Sequence, residues 1–255
     1  MSTRTTASLP ADLEAGLKRL KLATFRRQGA EVLLTAKTQR WTPEETLRVL
    51  VDAEIASRDE SNCRTRMTAA RFPALKTLAE FNLAESSIAS ASHDYLVTLD
   101  WINRADNLCL VGPAGTGKTH YLIALGRAAV EAGHRVRYFT AIELIEHLYR
   151  AVADNTVGRA IETVCRNELI IIDEVGFAPL DHTGCQLMFR LVAAAYERRA
   201  VAIASHSPFE SWGRFLPDQP TAVSLLDRLC HHAHIITTRG DSYRLTHRTT
   251  GQGGA

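Results

Sequence analysis

The chain has 255 residues, 45% of them apolar and 23% charged, and a formal net charge of +2. That size and apolar content suit one large domain or a main domain with a smaller companion, and exclude a disordered or fibrous chain. No apolar run approaches the ~18 residues a membrane helix needs, neither end carries a hydrophobic signal segment, and the expected location is cytoplasmic.

Charge is unevenly spread. Residues 1–80 carry fourteen Lys/Arg against ten Asp/Glu, and the remainder sixteen against eighteen. A mildly basic leading part permits contact with nucleic acid without demanding it. The five cysteines, Cys63, Cys109, Cys165, Cys185 and Cys230, show no paired spacing, which argues against a disulfide framework or a zinc module. Cys109 and Cys185 read as core thiols.

The first eighty residues read as helices. Leu13, Leu17 and Leu20 recur at helical spacing. In "TPEETLRVLVDAEIASR", Thr42 is a helix cap, Pro43 takes the first helical position and Glu45 completes a capping box. Leu47, Leu50, Val51 and Ile55 then form an apolar stripe. "ARFPALKTLAEFNL" closes this part, with Pro73 breaking the helix. Its basic residues and those just before it, Arg64, Arg66, Arg71 and Lys76, track a phosphate backbone or line a solvated helix face.

From about residue 105 short apolar strands alternate with helices: "NLCLVG", "RVRYFT", "ELIIID", "AVAIAS" and "HIITTR". A second capping box, Thr140 with Glu143, opens the helix after "RVRYFT". This alternation predicts a parallel α/β sheet of five strands flanked by helices. The boundaries expected are a small all-helical domain over 1–80, an α/β domain over 81–248 and a disordered tail over 249–255.

"GPAGTGKT", Gly112 to Thr119, fits G-x-x-x-x-G-K-[ST] throughout. Gly112, Gly115 and Gly117 let the backbone around Pro113, Ala114 and Thr116 wrap tightly and turn its N–H groups inward. Lys118 sets a positive charge against the β- and γ-phosphates of ATP, and Thr119 offers a hydroxyl to Mg2+. Downstream, "LIIIDEVGF" reads as a buried strand. Asp173 at its end holds the metal's water shell, and Glu174 orients or deprotonates the attacking water. Adjacent carboxylates favour hydrolysis over passive binding.

Together "GPAGTGKTH", "IIIDEVGF", "YERR", "SPFESWG" and "LLDRLCHHAHIITTRGDSYR" resemble the IstB-like ATP-binding proteins. These are transposition helper ATPases of the AAA+ superfamily, related to the DnaC helicase loaders and DnaA initiators. The resemblance covers nearly the whole chain, and "RTRMTAARFPALKTLAEF" is similar to the family's basic segment. It implies an AAA+ P-loop NTPase that forms an ATP-dependent homo-oligomer on double-stranded DNA and presents that DNA to a transposase. The alternative is a DnaC-like loader of a replicative helicase. A scaffold without turnover and a P-loop kinase rank below both.

The resemblance also makes Arg228, in "LLDRL", an arginine finger into a neighbour's site. The same family pattern places His206, in "IASHSPF", where an Asn or Thr sensor usually stands, with Ser205 as the other candidate. A late arginine, Arg239 or Arg244, is a further candidate for the nucleotide. His231, His232 and His234 invite a metal reading, but no acidic partner stands beside them in the sequence and no metal is assigned there. Glu197, Arg198 and Arg199 read as a solvated helix end.

Overall fold

A computed structural model describes residues 8–240, 242 and 243. The chain divides into two compact units, Met1–Thr65 and Arg66–Ala255. The tail expected over 249–255, and Arg244, lie outside the described residues.

In the first unit, α1 (Ala11–Arg19) and α2 (Ala23–Gln39) precede α3 (Pro43–Ala70), whose first part belongs here. The capping box at the start of α3 forms as its residues dictate. Thr42 N–H donates to Glu45 Oε2 at 2.7 Å, and Glu45 N–H donates to Thr42 Oγ1 at 3.2 Å. Glu54, 6% exposed, accepts the backbone N–H groups of Thr24 (2.8 Å) and Phe25 (3.3 Å) and the Arg58 Nε–H (3.0 Å). It thereby satisfies orphan donors at the start of α2. Burial pushes the Glu54 carboxyl up, but the hydrogen bonds from Arg58, Thr24 and Phe25 outweigh it and hold the group below its ordinary value.

The apolar stripe of α3 is mostly uncovered. Leu50 is buried, whereas Leu47 and Ile55 are 58% and 52% exposed. Leu33 and Leu34 of α2 are exposed as well.

The second unit is built on a parallel sheet of β1 (Asn107–Val111), β2 (Val136–Thr140), β3 (Leu169–Val175), β4 (Ala200–Ser205) and β5 (Ala233–Thr237), in the order β2-β3-β4-β1-β5. All five expected strands form. β1 and β4 are buried throughout, as is β3 apart from Glu174, which is why they read as apolar runs rather than as alternation. One face of the sheet packs on α7 (Ala141–Ala153), α8 (Val157–Val164), α9 (His182–Ala195) and α10 (Gln219–His231), through Ile170 and Ile172 of β3 and Val201 and Ile203 of β4. On the other face lie α4 (Ser90–Val97), α5 (Asp100–Asn103) and α6 (Lys118–Glu131), with Gly126 of α6 against Ile171.

Polar groups inside this unit are satisfied at the strand ends. Asn107 donates from Nδ2 to the Leu229 carbonyl (2.9 Å) and accepts the Val201 N–H (3.0 Å), tying β1 to β4 and to the end of α10. The capping box at Thr140 and Glu143 starts α7 where expected. Cys109 and Cys185 are buried free thiols, and burial pushes both above the ordinary thiol value. Among the described residues no helix is long and apolar enough to cross a membrane.

Candidate functional site

Strand register brings the two sequence motifs to one edge of the sheet. Ser205, the last residue of β4, pairs with Val111 of β1 on one side and with Val175 of β3 on the other. The loop Gly112–Thr119 leaves β1 at that point, and Asp173 and Glu174 lie just before the end of β3. Gly112 N–H donates to the Ser205 carbonyl at 3.1 Å, which fixes the start of the loop.

The loop has the conformation its glycines permit. Gly115 and Gly117 have φ of 83° and 87°, in the left-handed region. A Cβ on Gly115 would lie 2.1 Å from Ser242 Oγ, so only glycine fits that close approach. Lys118, 8% exposed, turns its ammonium into the loop and donates to the carbonyls of Gly112 (2.6 Å) and Pro113 (2.5 Å). Thr116 Oγ1 donates to the Pro113 carbonyl at 2.9 Å. Pro113 and Ala114 are exposed, and Thr119 is half-buried in the first turn of α6. A left-handed glycine loop, an inward lysine and a helix N-terminus together suit a chain of phosphates.

Asp173 is 2% exposed. Its Oδ2 accepts the Tyr138 hydroxyl at 2.8 Å, and its Oδ1 accepts the Glu174 N–H at 2.8 Å. The β3–β4 ladder shifts register between Ile172 and Val175, and Glu174 takes up the irregularity with φ of 58°. A non-glycine residue held left-handed costs about 1 kcal/mol, and such strain gathers at functional sites. Glu174 is exposed while the rest of β3 is buried, so its side chain reaches solvent near the end of the strand. Asp173 is a hard oxygen donor set in the interior, which fits Mg2+.

Of the two sensor candidates, Ser205 is fully buried, and its hydroxyl both donates to the Ser207 carbonyl (2.9 Å) and accepts the Ser207 N–H (3.2 Å). His206 is exposed, and its ring meets Phe177 edge-on at 6.4 Å. Arg228 stands apart from the loop on α10. Its Nη1 donates to the Ser224 carbonyl at 3.0 Å and its guanidinium lies 5.0 Å over the Phe189 ring. Arg239 is exposed, and its backbone N–H donates to Ser87 Oγ at 2.8 Å.

Several contributors escaped the sequence reading. Thr238, 1% exposed, shares a 2.7 Å hydrogen bond with Thr116 Oγ1, and Tyr243 N–H donates to the Gly115 carbonyl at 3.1 Å. Thr238, Ser242 and Tyr243 therefore border the phosphate loop. Phe81 packs on His120 and Tyr121 at 5.3 and 4.9 Å, beside Gly117. No spacing rule marks these residues; only the completed sheet brings them to the loop.

The histidine cluster needs a correction. His232 Nε2 lies 3.7 Å from Glu197 Oε1, His231 Nδ1 shares a 2.5 Å hydrogen bond with the Tyr196 hydroxyl, and His234 Nε2 is 3.8 Å from Asp106. Acidic partners do stand beside these histidines: Glu197 reaches His232 where the ends of α9 and α10 meet, and Asp106 reaches His234 because β1 pairs with β5. Glu197 is thus a partner to a histidine rather than a purely solvated residue.

The basic residues ahead of the sheet are partly engaged within the chain. Arg64 pairs with Glu60 at 2.8 Å, and Arg66 donates to the Gly133 carbonyl at 2.5 Å. Arg71 is exposed at the edge of the second unit. Burial, and then Arg137, Arg150 and Arg71, push His147 below its ordinary value; Arg71 and Arg137 thus lie near one another at β2, while Arg150 of α7 pairs with Glu146 at 3.7 Å.

Comparison with known proteins adds the following. Residues 15–251 match the family model described as IstB-like ATP binding protein. A protein described as an ATP-binding protein of insertion sequence IS21 in Pseudomonas aeruginosa is 33% identical over 235 residues, covering 92% of this chain and 89% of that protein. The corresponding protein of insertion sequence IS5376 in Geobacillus stearothermophilus is 31% identical over 228 residues, covering 89% and 91%.

Among solved structures, AMPPCP-bound DnaA from Aquifex aeolicus superposes with a TM-score of 0.54 at 20% identity, over 67% of this chain and 52% of that one. DnaI superposes at 0.51 and 15% identity, over 64% and 91%. The likeness to these two is one of fold, and this chain spans about half the length of the DnaA chain.

Proposed function

The chain belongs to the IstB-like ATP-binding proteins and has the AAA+ fold, and from that premise we propose that it is a Mg2+-dependent ATPase which assembles with further copies of itself on double-stranded DNA and engages the transposase of an insertion sequence. One observation carries the reading. The register at Ser205 joins the glycine loop to the Asp173–Glu174 pair across a single strand, so phosphate binding and water activation share one sheet edge.

The chain's own groups divide the work as follows. The N–H groups of Gly112–Thr119 and the start of α6 hold the phosphates, and Lys118 exchanges its loop carbonyls for phosphate oxygens. Asp173 and the Thr119 hydroxyl are the groups that would hold Mg2+, which when bound neutralises charge on the β- and γ-phosphates. Glu174, exposed near the end of β3, takes a proton from or orients the attacking water. His206 presents an imidazole to the same edge and is the better-placed sensor, because Ser205 is engaged with Ser207. Arg228 completes a neighbour's site rather than its own.

Residues 1–80 are proposed as the part that meets DNA or the partner. The exposed apolar residues of α2 and α3 support a protein contact there. Arg71, with Arg137 at β2, supports a phosphate contact. The names of the relatives, drawn from insertion sequences, favour a transposase over a replicative helicase as partner. The cytoplasm is the compartment this role requires.

The test is Glu174→Gln. Hydrolysis is expected to fall by at least about a hundredfold, the scale of a lost general base, with ATP affinity kept within about twofold. Unchanged turnover would remove Glu174 from the mechanism and leave a nucleotide-dependent scaffold.

A further inference from the structure

Asp173 is held by more than its strand. The β3–β4 ladder breaks between Ile172 and Val175, so on that side the backbone around Asp173 loses its pairing. On the other side β2 remains in register, with Tyr138 opposite Ile171 and Thr140 opposite Asp173. From two positions back on β2, the Tyr138 side chain reaches forward and donates its hydroxyl to Asp173 Oδ2 at 2.8 Å. Tyr138 is 5% exposed, and its ring meets Phe72 edge-on at 6.3 Å. The phenol is therefore fixed by packing before it fixes the carboxylate.

We propose that Tyr138 is a positioning residue for the metal-binding carboxylate, holding the Asp173 plane so that its remaining lone pairs face the cation; this rests on the reading of Asp173 as the Mg2+ ligand. With the Glu174 N–H on Oδ1 and the Tyr138 hydroxyl on Oδ2, both oxygens of the carboxylate are anchored. A buried carboxylate held at both oxygens cannot rotate without breaking a charge-assisted hydrogen bond. Outer-shell donors of this kind orient ligands and tune affinity for the metal.

Tyr138→Phe in the full chain removes the hydroxyl and keeps the ring. The Mg2+ concentration giving half-maximal ATPase activity is expected to rise about ten- to a hundredfold, the scale on which loss of an outer-shell partner weakens a metal site. Mn2+ binding in the presence of a non-hydrolysable ATP analogue, read by electron paramagnetic resonance, should weaken in parallel. Binding of a fluorescent ATP analogue in EDTA should stay as in the parent, while the melting temperature should fall by several degrees, because one oxygen of the buried Asp173 carboxylate loses its donor.

An unchanged Mg2+ requirement overturns the inference. So does a fall in metal-free nucleotide binding and melting temperature with no Mg2+ shift, because that outcome assigns Tyr138 to packing alone. Asp173→Asn, measured alongside, separates the two layers. If it leaves the Mg2+ dependence intact, the ligand role of Asp173 fails. If it shifts that dependence while Tyr138→Phe does not, only the role of Tyr138 fails.

Discussion

Arg228→Ala tests whether the catalytic site is shared between subunits. In its own subunit Arg228 is held by one hydrogen bond to the Ser224 carbonyl and by the face of Phe189. Each is modest at a half-buried surface: roughly 1 kcal/mol for the hydrogen bond and about 0.5–1 kcal/mol for the cation–π contact. Swinging the guanidinium into a neighbour's site therefore costs about 2 kcal/mol. An arginine supplied in trans raises phosphoryl-transfer rates by about 10³–10⁵, or roughly 4–7 kcal/mol. The gain exceeds the cost, so the arginine can afford to leave.

Arg228→Ala should thus lose hydrolysis by about a thousandfold or more and keep its ATP affinity, both measured at saturating DNA. Mixing it one-to-one with Lys118→Ala, which retains Arg228, should restore about a quarter of parental activity. That figure follows from random neighbours in a head-to-tail assembly, half of the loops being intact and half of their neighbours supplying the arginine. Activity that never exceeds the sum of the separate proteins, at any ratio, refutes donation in trans.

Gly115→Ala should weaken nucleotide binding about tenfold or more and lower stability by about 1–2 kcal/mol, since φ of 83° and the 2.1 Å approach to Ser242 leave no room for a Cβ; an unchanged melting curve and affinity would contradict the loop geometry. Glu54 governs a pH effect in the N-terminal unit. Its folded-state value is held below the ordinary one, so the stability it contributes is complete above the unfolded value and is lost as pH falls through the folded value. As pH falls through that lowered folded value the amides of Thr24 and Phe25 should lose protection from hydrogen exchange. Glu54→Gln should show that loss already at neutral pH, and full protection in the variant would refute the capping role.

Much of this was legible because burial writes itself into composition. "LIIID" and "AVAIAS" are apolar on both faces, and parallel strands covered by helices have that signature. The two capping boxes are local patterns and form as written. The glycine loop is likewise a contiguous motif, and so is the carboxylate pair.

What stayed hidden depends on elements far apart in the chain. Tyr138 meets Asp173 only because β2 pairs with β3, and nothing in "RVRYFT" announces a partner 35 residues on. Glu197 reaches His232 only when the ends of α9 and α10 come together. The bulge that turns Glu174 outward has no marker in "IIIDEV", where a left-handed glutamate is against local preference. The α3 stripe has the period of a buried face, yet Leu47 and Ile55 stay exposed, because period reports a face and not what covers it.

The central claim is that ATP controls assembly on DNA. Size-exclusion chromatography with light scattering, run on the full chain with duplex DNA, tests it directly by comparing a non-hydrolysable ATP analogue, ADP and no nucleotide. A large protein–DNA complex formed only with the analogue, and dispersed by raised salt, is the expected result. The same monomer-sized protein in all three conditions, with the DNA eluting free, would contradict the account.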